Sequence, residues 1–142
     1  MAVKAHGSAE TAEVDRREAA RFQQALALLR DPSRTLFSFV VYPEATPLAE
    51  AERAAVDLRA IGLQTGLVVA NQVLPEAVCV HPLFRKRFEM QQRYLREIPS
   101  RFPDAEVRIA LLREREVIGL NSVRRFAETV FGRQPAAAGA PV

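Results

Sequence analysis

Few side chains of this 142-residue chain have the type and spacing that chemistry requires. Cys79 and His81 lie two residues apart, but a structural zinc site takes four ligands, so this pair is two ligands short. Neither His6 nor His81 has a serine or cysteine partner at a spacing that suggests nucleophilic catalysis. We therefore expect an ordinary loop cysteine and histidine, and no zinc.

The sequence also lacks the residues of a phosphate-binding site. A phosphate-binding loop needs glycines followed by a lysine and a hydroxyl, and none of the six glycines begins a G-x-x-x-x-G-K-[ST] motif. A metal-positioning aspartate would follow an apolar strand, whereas the first predicted strand ends in Val41-Tyr42-Pro43-Glu44 and the second in Asn71. We expect no catalytic residue in this chain.

The elements that position these residues follow from apolar spacing. Short apolar runs predict strands, and apolar residues three or four apart predict helices. The predicted order is a helix over 14–30, a strand over 36–41 buried on both faces, a helix from the N-cap Thr46 to Gly62, a strand over 66–70, a helix over 83–98 with Pro99 beyond its end, a strand over 106–111, and a helix that carries Leu120, Val123, Ala127 and Val130. Strands that alternate with helices indicate parallel βαβ units, so the predicted fold class is α/β.

In an open parallel sheet, ligands bind outside the carboxyl ends of the strands. These ends are the segments Tyr42–Thr46, Asn71–Glu76 and Leu112–Glu116. We expect any binding site to draw on these three loops.

Five segments in the right order resemble ArsA-type ATPases, the arsenite-pump and tail-anchored-protein-targeting family. They are Leu29–Pro32, the stretch from Pro43 to Arg53, Asn71-Gln72-Val73-Leu74-Pro75, Met90–Leu95, and the stretch from Leu111 to Leu120. Together they cover roughly residues 21–131. The resemblance implies a partial P-loop-NTPase-like sheet of the deviant Walker type with its phosphate-binding half absent, hence the C-terminal portion only.

The resemblance also implies a set of binding residues. Asn71 would read the adenine base, because a carboxamide offers one donor and one acceptor to the base edge. The residues expected to line the adenine pocket are Leu111, Leu112, Arg113 and Glu114, and Glu44 would lie near the nucleotide or a dimer partner. The alternative for Asn71 is that its side chain only satisfies loop backbone at a strand end.

Two positions depart from the family pattern. The paired cysteines that hold zinc between subunits in the targeting branch fall here on His81 and Phe84, which favours a bacterial ArsA-like or uncharacterised branch over the eukaryotic targeting factor. Where the family has a proline before Leu111-Leu112, this chain has Ala110.

The function expected from the resemblance is the C-terminal part of an anion-transporting or targeting ATPase, from a truncated or split gene. It would contribute the adenine side of the ATP site, with Mg²⁺ supplied by the missing half, and would be inactive alone. Expected partners are an N-terminal P-loop half or a homodimer partner, and a membrane pump or hydrophobic client. The alternative is a non-catalytic α/β module that binds a protein partner.

We expect residues 1–12 and 133–142 to be disordered and 13–132 to form the domain.

Composition bounds the remaining possibilities. Charged residues make up 26% of the chain and the net charge is only +3, with arginine interleaved with glutamate as in Arg113–Glu116. Nucleic-acid binding favours a clustered basic face with aromatic partners, so we expect none. No apolar run approaches the roughly 20 residues of a membrane span and no signal peptide is evident, so we expect a cytoplasmic protein without membrane insertion.

Overall fold

Three strands form a parallel sheet with the order β1-β2-β3, and the computed structural model describes residues 4–132, with side chains from Val14 onward. The α/β class with parallel βαβ units is confirmed. In chain order the elements are α1 (Lys4–Arg30), β1 (Phe37–Val41), α2 (Ala45–Ala60), β2 (Thr65–Val73), a 3₁₀ turn (Glu76–Val78), α3 (Pro82–Arg101), β3 (Glu106–Leu111) and α4 (Leu120–Phe131).

The central strand β2 is longer than predicted because it continues through Asn71 to Val73. Its pairing with β3 is interrupted between Ala70, opposite Ile109, and Val73, opposite Leu111. Three steps on β2 therefore match two on β3, which is a β-bulge at Asn71-Gln72. Gln72 has a φ of 54°, in the left-handed region. Asn71 thus lies inside the strand and not at its end.

One face of the sheet is covered by α2 and α3, which contact each other and the strands. Val68, Ala70 and Val73 of β2 alternate onto this face because strand side chains point to opposite sides in turn. The helices and the segment after α3 bury Leu48, Ala51, Ala55, Ile98 and Phe102 against these strand residues. Phe102 also contacts Phe39, with ring centroids 6.1 Å apart. This cluster is the main core.

The opposite face is covered only in part. α4 packs on β3, and its Val130 and Phe126 cluster with Ala110 of β3 and with Leu67 and Val69 of β2. Val40 of β1 lies beyond the reach of α4 and is 64% exposed. The prediction that β1 is buried on both faces is therefore wrong, because no described helix covers this side of β1.

α1 is longer than the apolar spacing predicts. It begins at Lys4 and not near Val14, so residues 4–12, expected to be disordered, are helical. Three of these nine residues are alanine, which favours helix without any apolar face. From Val14 to Arg30 every residue of α1 is exposed except the half-buried Leu26. The expected disorder of residues 1–3 and 133–142 lies outside the described residues.

Two helix ends differ from the prediction. The N-cap of α2 is Glu44 and not Thr46, and its side chain makes no capping bond. Pro99 lies inside the last turn of α3, which continues because the Phe102 N–H bonds to the Ile98 carbonyl at 3.0 Å. The end of α2 is as expected: Gly62 has a φ of 82°, and its N–H bonds to the Arg59 carbonyl at 3.0 Å.

Arg101 ties the two helices of the main core together. Its guanidinium donates to Glu52 of α2 at 2.9 Å and to Glu97 of α3 at 2.8 Å. The bond to Glu97, followed by the charge of Glu52, raises the pKa of Arg101 above its ordinary value.

Within residues 4–132, no helix has the length and apolar character that crossing a bilayer would need.

Candidate functional site

The carboxyl ends of the three strands meet at one edge of the sheet and form two cavities. The first, called here the edge cavity, has a volume of about 350 Å³. Its walls come from all three predicted loops and from α3: Tyr42, Glu44, Gln72, Leu74, Leu112, Arg87 and Gln91. The second, called here the charged cavity, has a volume of about 540 Å³ and lies between the segment after β3 and α4. Leu112 lines both cavities.

An ion pair stands at the edge cavity. The Arg87 guanidinium of α3 donates to the Glu44 carboxylate at the start of α2. About half of the Arg87 side chain and a third of the Glu44 side chain are exposed, so solvent screens the attraction. The pair joins the β1–α2 corner to α3 beside Gln72.

The bulge in β2 forms the next wall. The N–H of Gln72 donates to Asn71 Oδ1 at 3.0 Å, so the Asn71 side chain binds the backbone of the residue that follows it. This contact is of the kind that the alternative interpretation of Asn71 describes. Gln91 of α3 accepts from the Leu74 N–H at 2.9 Å and donates to the Gln72 carbonyl at 3.2 Å. The Leu112 N–H bonds to the Val73 carbonyl at 2.8 Å and joins the β3 loop to this segment.

The charged cavity combines apolar walls with cations, anions and hydroxyls. Its lining residues are Pro75, Leu111, Leu112, Arg113, Glu114, Arg115, Glu116, Val117, Ser122, Arg125, Phe126 and Thr129. The Arg113 guanidinium lies over the Phe126 ring, 5.7 Å from its centroid. Gly119, with a φ of 79°, turns the chain into α4, and its carbonyl accepts from the N–H groups of Ser122 and Val123.

The structure brings most of the predicted site residues together at this edge. Leu111, Leu112, Arg113 and Glu114 line the charged cavity, while Glu44 lines the adjoining edge cavity. Asn71 is absent from the lining residues of both. It lies on the neighbouring strand, in the bulge whose backbone Leu112 contacts through Val73.

Cys79 and His81 have local structural roles. The Cys79 thiol is buried and donates to the Pro75 carbonyl at 3.3 Å. His81 is the N-cap of α3, where its Nδ1 accepts from the Leu83 N–H at 3.2 Å. In the part of the chain that the structure describes, no three His, Cys, Asp or Glu side chains are grouped as metal ligands would be.

Three residues of the site were missed by sequence reasoning. Phe126 falls outside the predicted stripe of α4, whose members Leu120 and Val123 prove to be exposed. Arg87 follows two other cations of α3, Arg85 and Lys86, so nothing in the sequence distinguishes it. Gln91 carried a usable signal. It lies three residues after Phe88 and four before Leu95, so it is a polar residue on the apolar face of α3.

The chain was compared with known protein families. The family model for the anion-transporting ATPases (ArsA) matches residues 1–132. The chain belongs to this family. The resemblance of the five sequence segments is thereby confirmed.

Individual members agree with the family match. The chain is 42% identical over 113 residues to a putative arsenical pump-driving ATPase of Halobacterium salinarum, covering 79% of this chain and 17% of that protein. It is 31% identical over 111 residues to putative arsenical pump-driving ATPase 1 of Aquifex aeolicus, covering 76% of this chain and 28% of that protein. It is 32% identical over 106 residues to ATPase ASNA1 homolog 2 of Paramecium tetraurelia, covering 74% of this chain and 32% of that protein. The chain therefore spans less than a third of the length of these curated relatives.

Proposed function

We propose that this chain provides the adenine-binding side of the ATP site of an anion-transporting ATPase. It is the C-terminal part of that site, and other parts of such an ATPase supply the phosphate-binding loop and Mg²⁺. The observation that carries the proposal is the charged cavity, because four of the six residues that the family resemblance implies for nucleotide binding line it together.

The charged cavity suits a nucleobase in size and in chemistry. Small-molecule sites measure about 300–1,000 Å³ and combine apolar walls with a few polar groups. Leu111, Leu112 and Phe126 offer apolar surface to the faces of a base. The Ser122 hydroxyl can donate or accept, and Thr129 Oγ1, which donates to the Arg125 carbonyl at 2.8 Å, can accept. Arg113 on Phe126 adds a planar cation at the wall.

Asn71 is suited to reading the edge of the base. Leu67 and Val69 of β2 face α4, so strand alternation puts Asn71 on the same side of the sheet as the charged cavity. Its carboxamide carries a donor and an acceptor, which match N7 and the N6 amino group of adenine, whereas guanine presents two acceptors, N7 and O6, at the same edge. The Asn71 Oδ1 accepts from the Gln72 N–H at 3.0 Å and keeps a second lone pair for the base, while its Nδ2 keeps its donors.

No residue of this chain is assigned to the chemical step. ATP supplies the phosphoryl group, and the transition state of its transfer is stabilised by phosphate-loop and metal groups. The sequence contains no phosphate-loop motif. The chain's own residues would bind and orient the base and exclude water from it. Clients, pump partners and dimer formation are expectations from the same family membership, and the cytoplasmic location is an expectation from the sequence.

An NMR titration tests the proposal. We expect millimolar ATP to shift the backbone amides of Leu111–Glu114 and the Asn71 side-chain amide, with a dissociation constant of roughly 1 mM or weaker, equivalent to about 4 kcal/mol. Tripolyphosphate, which lacks the base, should not shift them. Asn71→Ala should remove the preference for ATP over GTP. The matched control is Gln64→Ala, because Gln64 is an exposed carboxamide before the start of β2.

The result that contradicts the proposal is equally direct. Absence of any ATP-specific shift at these residues up to 20-fold above the expected constant (roughly 20 mM) would remove the adenine role. So would an Asn71→Ala variant with unchanged preference.

A second candidate function is supported by the uncovered side of β1. Val40 and Leu36 are 64% and 65% exposed, and apolar strand surface of this kind suits association with another protein. In this case the chain is an interaction module that kept the fold. Sedimentation at micromolar concentration separates the two: a clean monomer that melts cooperatively and ignores ATP would favour the module.

A further inference from the structure

Gln91 is a polar residue placed in the interior. It is 3% exposed and is the one buried polar or charged side chain among the residues whose burial is described. Burying an amide is unfavourable unless its hydrogen bonds are made. Both ends of the Gln91 amide are bonded, and both bonds go to the backbone of the bulge in β2.

These bonds bracket the segment that follows Asn71. Gln91 Nε2 donates to the Gln72 carbonyl at 3.2 Å, and Gln91 Oε1 accepts from the Leu74 N–H at 2.9 Å. The residue between them, Val73, is held by the Leu112 N–H at 2.8 Å. Three successive residues are thus fixed from outside the strand, two by α3 and one by the β3 loop.

The bulge needs such support. A non-glycine residue with a positive φ, here 54° at Gln72, persists only where its surroundings determine it. The conformation of Gln72 also sets where its N–H points, and this N–H bonds to Asn71 Oδ1. Fixing Gln72 therefore fixes the direction of the Asn71 carboxamide.

We propose that Gln91 is a positioning residue that orients Asn71 for base recognition and so determines the preference for ATP over GTP. The inference rests on the proposed function and extends it to α3, which does not contribute to the charged cavity. Gln91 does not contact the base; it acts through the backbone of Gln72 and Leu74.

The test compares wild-type chain with Gln91→Met and Gln92→Met. Methionine is close to glutamine in shape but makes neither bond, and burial of an apolar residue is tolerated. Gln92 is the matched control, because it neighbours Gln91 in α3 but is only half-buried and points about 100° around the helix from it. Each protein is assigned by NMR, its melting is recorded, and amide exchange and titrations with ATP and GTP are measured.

We expect the Leu74 amide of Gln91→Met to exchange roughly tenfold faster, as suits one lost hydrogen bond. We expect its preference for ATP over GTP to disappear, while Gln92→Met keeps both wild-type values. If Gln91→Met does not fold, Gln91→Glu replaces it. A carboxylate still accepts from the Leu74 N–H but has no donor for the Gln72 carbonyl, so the same loss of preference is expected.

Two results overturn the inference while leaving the proposed function intact: unchanged Leu74 exchange in Gln91→Met, or faster exchange with an undiminished preference for ATP. A wild-type chain that does not distinguish ATP from GTP refutes both the proposed function and this inference. The wild-type titration therefore separates the two kinds of failure.

Discussion

Ile98 provides the sharpest test of the packing that supports the site. It is 0% exposed and lies in the last turns of α3, packed in the main core with Val68 and Phe102. α3 also carries Gln91, so loosening its end would loosen the helix that holds the bulge. We predict that Ile98→Ala lowers the free energy of unfolding.

The magnitude follows from full burial. Replacing a buried isoleucine by alanine costs about 2–5 kcal/mol, from lost transfer free energy and the cavity left behind. Alanine's better helix propensity returns at most about 0.7 kcal/mol. We therefore expect a loss of about 3 kcal/mol in the free energy of unfolding, a large part of the 5–15 kcal/mol of a typical domain. The melting temperature should fall by roughly 10 °C.

The assay is urea unfolding followed by circular dichroism, with Ile118→Ala as the matched control. Ile118 is 72% exposed, so the same chemical change should alter stability by no more than about 0.5 kcal/mol. A loss below about 1 kcal/mol for Ile98→Ala, or equal losses for the two variants, would refute the assignment of Ile98 to the core.

Four further predictions concern activity, metal and local structure. Purified alone, the chain should hydrolyse ATP no faster than buffer, because the motif that supplies most of the transition-state stabilisation is missing from its sequence; Mg²⁺-dependent turnover that a mutation in the chain abolishes would contradict this. Metal analysis after dialysis should find far less than one zinc per two chains, since the two cysteine positions of the targeting branch hold His81 and Phe84, and phenylalanine cannot ligate a metal. Stoichiometric zinc would contradict it. Gly62→Ala should lower the free energy of unfolding by about 1–2 kcal/mol, because alanine strains at a φ of 82°, and an unchanged urea midpoint would count against it. Hydrogen bonds from the Ser33 hydroxyl and, next, from the Ser33 N–H hold the pKa of Asp31 below its ordinary 3.8. The Asp31 carboxylate therefore stabilises the fold above that pH, and this contribution is lost as the pH falls through the lowered pKa. Ser33→Ala should raise the pKa of Asp31 in an NMR titration, and an unmoved pKa would exclude the hydroxyl as its cause.

The order of elements was predictable from the sequence because apolar periodicity alone determines it. β3 has the predicted bounds, and β1 and α2 differ by a residue or so at their ends. The start of α1 was not predictable, because helix propensity in residues 4–13 acts without an apolar stripe to mark it. Pro99 was expected beyond α3, but a proline in a last turn forfeits only one helical bond and the turn continues past it.

The site was predicted in its loops more than in its details. The carboxyl ends of parallel strands must share one edge, so the cavities lie where the sequence places them. The bulge was not predictable, because Asn71-Gln72 follows an apolar run and such a pair also suits a strand end. The exposure of one side of β1 was not predictable either, because the composition of a strand does not show which helices cover its two faces. The assignment of Asn71 to the base stays a prediction.

The bulge has a further consequence for how this edge can vary. Before it, even-numbered residues of β2 such as Val68 and Ala70 face the main core; after it, the odd-numbered Val73 does so. The extra residue works as a phase shift in the side-chain alternation. Removing one residue from Asn71-Gln72 would restore the original phase without moving Val68 or Ala70. Substitutions there, by contrast, leave the phase unchanged. The fold therefore constrains the length of this segment independently of the side chains that it carries.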